Sequence, residues 1–329
     1  MEASKQILKR QRAKASRAKW FGLGVVALAL AVGAVRLVLA DRGVALPGQP
    51  GAAPSAVASL PTLLALPPER LSGLDIARMN LLCAQGLPGA EDLDVEPSLA
   101  ALDGMAARVR AETARHRYRF KRSPSEFENS EDFFRMLMLA VVLVEDFQVS
   151  YVPGKRGTAV EARQGDGFFA DAQDVFLHGL TGGKHQGTCS SLPVLQVAVG
   201  RRLGYPLKLV TTKGHLFVRW EDRRERFNVE ATGQGVSRFS DEYYRHWPLE
   251  TREAEVAAEA YLRSLGAADE LAVFLSIRGM CWREAGRYGE AAESFRAAAR
   301  LAPGCRSYRL LAEECSRTLS GTLAGKTAN

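Results

Sequence analysis

Apolar positions in the second half of the chain fall into two periods. From Leu192 they recur at Leu195, Val199 and Leu203, spacings of three and four that predict one buried helical stripe ended by Gly204-Tyr205-Pro206. Cys189 is expected in the first turn of that helix, within Gly187-Thr188-Cys189-Ser190-Ser191-Leu192-Pro193. Three runs then read as strands: Leu207 to Thr212, Gly214 to Trp220, and Arg226 to Thr232. The last two are joined by the charged loop Glu221-Asp222-Arg223-Arg224-Glu225. A turn centred between Asp222 and Arg223 pairs position 215 with 230, so that His215 faces Glu230. A centre one residue earlier puts Asn228 opposite His215 instead, and alternation alone leaves both open.

Upstream the period is helical. Leu71 to Gln85 predicts a helix with Leu74, Met79, Leu82 and Cys83 inward, and Pro97 to Arg115 a second. A third opens at Ser130-Glu131-Asp132 and runs through the nearly unbroken apolar stretch Phe133 to Leu143. That stretch is too short to cross a bilayer, so a buried core helix is expected. Val152 to Asp166 reads as a loop and Phe168 to Leu180 as a further helix. The glycine-rich Thr181 to Gly187 is not a phosphate loop, because no Gly-Lys-Ser/Thr opens the following helix.

The first forty residues differ from the rest. Residues 1–19 carry seven basic side chains against Glu2, a net of +6 out of the chain's +7. With +1 left for the body, a nucleic-acid-binding function is not expected. Trp20 to Ala40 is apolar apart from Arg36, and about 21 residues suffice for a bilayer core of roughly 30 Å. The basic flank orients such a helix with its N-terminus in the cytoplasm and the body outside. The alternative is a cleaved signal peptide ending near Ala40. Residues 41–68 are rich in Ala, Pro and Gly and read as a flexible tether. The 329 residues then divide into this N-terminal segment, a domain over 69–250 with its core at 168–244, and a helical region over 251–329.

In that last region Leu275, Gly279, Trp282, Ala291, Phe295, Ala298 and Pro303 sit where a tetratricopeptide-like pair of antiparallel helices would place them. A lone pair buries little, so it is expected to pack on the preceding helix and on Tyr308 to Cys315.

Candidate chemistry centres on cysteine. The five cysteines are Cys83, Cys189, Cys281, Cys305 and Cys315, with no Cys-x-x-Cys, so no metal site and no cofactor are expected. An odd count leaves at least one thiol unpaired, and Cys189 is the choice; pairing among the C-terminal three stays open. A free thiol is only about 3% ionised at pH 7. A helix start and an imidazolium favour the thiolate, and an acid fixes the imidazole. Cys189, His215 and Glu230 are the expected nucleophile, base and orienter. Gln186 is a candidate oxyanion donor, with the Cys189 backbone N–H, and Asn228 the rival orienter. Taken singly, each has an ordinary explanation: a small core residue, a satisfied strand histidine, a solvated charge. His185 is expected to be a loop residue, and His116, His178 and His246 have no comparable setting.

Gly187-Thr188-Cys189-Ser190-Ser191-Leu192, Gly214-His215-Leu216-Phe217-Val218 and Asn228-Val229-Glu230-Ala231-Thr232 resemble the transglutaminase-like superfamily over roughly Phe168 to Tyr244. The resemblance implies an α+β, papain-like fold, with a helix bearing Cys packed on an antiparallel sheet bearing His and an acid. It also implies a cysteine hydrolase or acyltransferase acting on amide or peptide bonds of a protein or peptide substrate. A bacterial branch adds C-terminal tetratricopeptide repeats. The third motif usually reads Asp-x-Thr, and here Glu230 stands at the acid. The competing expectation is an inactive scaffold that binds a protein partner through the helical C-terminus.

Overall fold

The computed structural model describes residues 57–155, 167–233 and 236–327. The basic tail at 1–19 and the apolar segment at 20–40 lie outside them. The expected fold class is corrected in one part, the single membrane-spanning helix. Among the described residues no helix is long and apolar enough to cross a membrane.

The tether expected over 41–68 ends early. Leu60–Leu64 forms α1, capped by the Ser59 side chain, and Pro68–Leu71 forms α2. The helix expected over 71–85 is therefore broken at Ser72-Gly73 and restarts as α3, Ile76–Ala84, where Asp75 accepts the Ala77 N–H at 2.9 Å. Next comes α4, Val95–Arg122, longer than expected at both ends. Asp94 caps its start, and Arg119, Lys121 and Arg122 complement the carbonyl end, so no stop intervenes before Pro124. Helix α5, Glu131–Glu145, begins as expected, with Ser130 Oγ accepting the Phe133 N–H at 2.9 Å. It buries Phe134, Met138 and Leu139 while Val141 stays exposed, so it is a core helix with one outer edge.

The helix expected over 168–180 is instead two single turns, α6 (Ala172–Val175) and α7 (His178–Thr181). The chain doubles back so closely that a Cβ on Gly179 would lie 1.9 Å from the Gln173 carbonyl oxygen. A continuous helix cannot make that approach, and only glycine permits it. Two short strands escaped the sequence pattern. Ser150–Tyr151 (β1) pairs in parallel with Gln186–Gly187 (β2), anchoring the glycine-rich loop just before Cys189. Two residues are too few to show a period.

Helix α8, Leu192–Arg202, packs on an antiparallel sheet of β3 (Leu207–Thr212), β4 (His215–Glu221) and β5 (Arg226–Val229), in the order β3-β4-β5. Cross-strand pairs run Glu221↔Arg226 to Val218↔Val229. The hairpin thus centres between Arg223 and Arg224, one residue later than expected. Asp222 sets this: its carboxylate accepts the N–H groups of Arg224 and Glu225 at 2.7 and 2.9 Å, and its own N–H donates to the Glu225 carbonyl. Asp222 is therefore the first corner of the turn and Glu225 the last.

Both faces of β4 are covered. Leu216, Val218 and Trp220 join the main core, while Phe217 lies with Val210 and Tyr244 in a second cluster. Tyr244 belongs to α9, Asp241–His246. After α10 (Glu253–Glu259) come α11 (Ala267–Glu284) and α12 (Tyr288–Leu301), an antiparallel pair, and then α13, Arg306–Thr327. Packing follows the expectation for α12 on α13. However, α11 also packs on α3, where Arg278 donates to the carbonyls of Cys83 and Gln85 at 2.8 and 2.7 Å. The described residues fall in one compact unit, so the described part of the region at 251–329 shares its core with the domain before it. None of the five cysteines is in a disulfide, and all five are buried.

Candidate active site

Cys189 lies in the turn that leads into α8, not in the helix's first turn as expected. The cap residue is Ser191, and the helix starts at Leu192 with Pro193 in its first turn. The turn is tied shut by the side chain of Ser191, whose Oγ accepts the Thr188 N–H at 3.0 Å and donates to the Asp174 carbonyl at 3.1 Å. Leu192 N–H donates to the Thr188 carbonyl at 2.9 Å, closing a loop around Cys189. The thiol is thus held by a backbone turn fixed at both ends.

His215 is the first residue of β4, and its Nε2 lies 2.9 Å from Glu230 Oε2. Both side chains are almost wholly buried, 1% and 7% exposed. Cys189 lines the same cavity as this ring and acts on its charge, and Nδ1 is buried without a hydrogen-bond partner among the described residues. The imidazole is thus bonded to the carboxylate through Nε2, with Nδ1 left open on the side of the cavity it shares with Cys189. Burial lowers its pKa, but the charge and hydrogen bond of Glu230 and the nearby Cys189 thiol outweigh it, raising the value to about 9.

Glu230 is held on both oxygens. Oε2 also accepts the Tyr244 hydroxyl at 3.1 Å, and Oε1 accepts the N–H and hydroxyl of Thr232 at 2.9 and 2.5 Å. Burial raises its pKa, yet the His215 charge and these donors prevail, and the carboxyl is held below the usual value. Tyr244 is fixed by stacking on Phe217, with ring centroids 3.7 Å apart, and the edge of Trp247 closes on the His215 ring at 4.7 Å.

Sequence reasoning missed Tyr244, Trp247 and the role of Thr232. For Thr232 a signal existed: a threonine two residues after an acid can return its N–H and hydroxyl to that acid. Nothing in Tyr243-Tyr244 marked which ring turns inward.

The other named residues lie elsewhere. Asn228 is committed to Arg219 and Asp241: its Oδ1 accepts Arg219 Nε at 2.7 Å, and its Nδ2 donates to Asp241 at 2.7 Å. Gln186, on β2, is not among the residues lining the cavity that holds Cys189 and His215. His185 is a loop residue, with Nδ1 donating to the Leu180 carbonyl at 3.1 Å. Among the described residues no group of three or more His, Cys, Asp or Glu could hold a metal ion.

The cavity at Cys189 has a volume of about 320 Å³ and also reaches α11 and α13. A second, of about 270 Å³ beside α8, contains neither Cys189 nor His215. In comparisons with protein families, curated proteins and solved structures, the chain matches none.

Proposed function

We propose that the protein is a transglutaminase-like cysteine hydrolase or acyltransferase that acts on amide or peptide bonds through Cys189, His215 and Glu230. The observation that carries this reading is the buried His215–Glu230 hydrogen bond at 2.9 Å on a ring that lines the same cavity as Cys189. An imidazole with its pKa raised to about 9 is protonated at neutral pH. An imidazolium beside a thiol favours the thiolate.

The thiolate adds to the amide carbonyl carbon, and His215 gives its proton to the leaving nitrogen as the C–N bond breaks. Water or an amine then attacks the acyl-enzyme and loses a proton to the imidazole, which restores the thiolate. Glu230 keeps the ring oriented and stabilises its charged form throughout.

Alkylation by iodoacetamide tests the reading. Burial pushes the Cys83 and Cys281 thiols up to about 12 and Cys305 to about 11, so these should react slowly. Cys189 should label first near neutral pH, and His215→Ala should slow it by about tenfold or more. Equal, sluggish labelling of all five would favour the partner-binding scaffold instead.

A further inference from the structure

The cavity at Cys189 has a wall that the catalytic chemistry does not use. Helix α11 contributes Val273, Ser276, Ile277 and Met280, a spacing of three, four and seven that is one helical face. Phe169 and Tyr308 line it as well. No Asp, Glu, Lys or Arg lines it among the described residues. Two of its hydroxyls are already spent: Thr212 Oγ1 donates to the Tyr244 carbonyl at 2.8 Å, and Ser276 Oγ to the Val273 carbonyl at 2.8 Å. The α11 residues with Phe168, Phe169, Leu216 and Leu249 present hydrocarbon and aromatic surface to an entering group, beside the hydroxyls of Ser190, Thr211, Tyr261 and Tyr308.

We propose that this cavity is the side-chain subsite of the Cys189 site, and that it takes a bulky uncharged residue, aromatic or branched aliphatic, of a peptide substrate. The inference rests on the reading of Cys189 as the nucleophile. A volume of about 320 Å³ suits one large side chain together with the attacked carbonyl. Away from the Cys189–His215 pair, a charged side chain entering here would lose its water without meeting an opposite charge. The C-terminal helices thus select the substrate of the site, since Ile277 and Met280 reach it from α11.

Two chloromethyl ketones that differ only in side chain, tosyl-phenylalanyl and tosyl-lysyl, test the subsite on the full chain. In each the thiolate displaces chloride from the methylene carbon, forming a thioether. Each rate is divided by that of the same reagent with free cysteine, and the adduct is located at Cys189 by mass spectrometry. The phenylalanyl reagent should react about tenfold faster or more than the lysyl one. Met280→Trp, which fills the pocket, should slow the phenylalanyl reagent relative to iodoacetamide. Met280→Glu should speed the lysyl reagent, a gain that misfolding cannot produce. Equal rates for the two reagents, or a ratio unmoved by Met280→Glu, overturn the subsite while leaving the nucleophile standing, provided iodoacetamide labels Cys189 in a His215-dependent way. Loss of that labelling overturns both.

Discussion

His215 and Glu230 are hydrogen-bonded at 2.9 Å without being cross-strand partners. The observed pairing of Val218 with Val229, carried along the hairpin, sets residue 217 against 230 and 215 against 232. The two side chains are diagonal neighbours on one face, a separation that a long carboxylate arm spans. Glu230 has also left the ladder, its N–H donating to the Ser237 carbonyl at 2.9 Å. The longer reach of Glu over Asp fits a site in which the acid approaches along the diagonal.

Glu230→Gln and Asn228→Ala should therefore separate chemistry from stability. The first removes the charge that holds the His215 imidazole up, so the pH profile of Cys189 alkylation should move upward. The second removes the acceptor of Arg219 Nε, leaving that side chain, 1% exposed, held by Asp241 alone among charged groups. It should lower thermal stability by about 1–3 kcal/mol with little change in the profile. A larger profile shift from Asn228→Ala would reverse the assignment.

Much of this site was legible because it rests on local pattern. The strand candidates reached from 207 to 232, the apolar stripe behind Leu192 and the Ser130 cap were visible in short-range periodicity. The register was not, because it depends on which residue of Glu221-Asp222-Arg223-Arg224-Glu225 takes the turn's first corner. That was decided by two hydrogen bonds to the Asp222 carboxylate. The right partner for His215 was thus reached through a pairing the structure does not have. The break between α6 and α7 was hidden for a different reason, since the contact of Gly179 with Gln173 is a tertiary approach with no periodic trace.

The His215–Glu230 pair should give stability a defined pH window. The His215 pKa is raised from 6.5 to about 9, so its contribution is complete below about 6.5 and is lost as pH rises through about 9. The Glu230 value is lowered from 4.5, so its contribution is complete above that value and is lost as pH falls through the depressed one. The imidazole should account for about 3 kcal/mol of the stability that urea unfolding of the wild type shows lost between pH 6 and pH 10, because a tenfold change in proton affinity is worth about 1.4 kcal/mol. In His215→Gln the decline should be smaller by about that amount, the rest coming from the buried thiols of Cys83, Cys281 and Cys305, whose raised pKa values also cost stability as pH passes 9. An equal decline in both would mean that other groups cause it.

Gly279 offers a test of the α11–α12 packing. In an exposed helix Gly→Ala stabilises by about 1 kcal/mol. Here a Cβ would lie 2.8 Å from the Phe295 ring, which is fully buried in α12. Gly279→Ala should instead lower stability by about 1–3 kcal/mol through overpacking. A rise in melting temperature would show that the ring can move aside.

The link between α8 and α11 gives the last prediction. Arg201 donates to both carboxylate oxygens of Glu270, at 3.0 and 2.5 Å, and the Glu270 side chain is 1% exposed. Burial raises the Glu270 pKa, and Arg201 opposes that rise. Removing the guanidinium while leaving the acid strands a buried charge, which costs about 3–5 kcal/mol. A carboxyl whose folded pKa is raised binds its proton more tightly when folded, so it favours the folded state most at low pH and loses that advantage as pH rises. Arg201→Gln should therefore destabilise the protein more at pH 7 than at pH 4.5, measured by urea unfolding at both. Because the pair joins the helix behind Cys189 to the helix that walls its cavity, the same variant should also reduce labelling of Cys189 by the phenylalanyl chloromethyl ketone more than by iodoacetamide. Arg201→Met with Glu270→Met, which removes both charges together, should recover most of the stability. If the single variant were equally destabilised at both pH values, the loss would come from packing of the arginine stem and not from the stranded carboxylate.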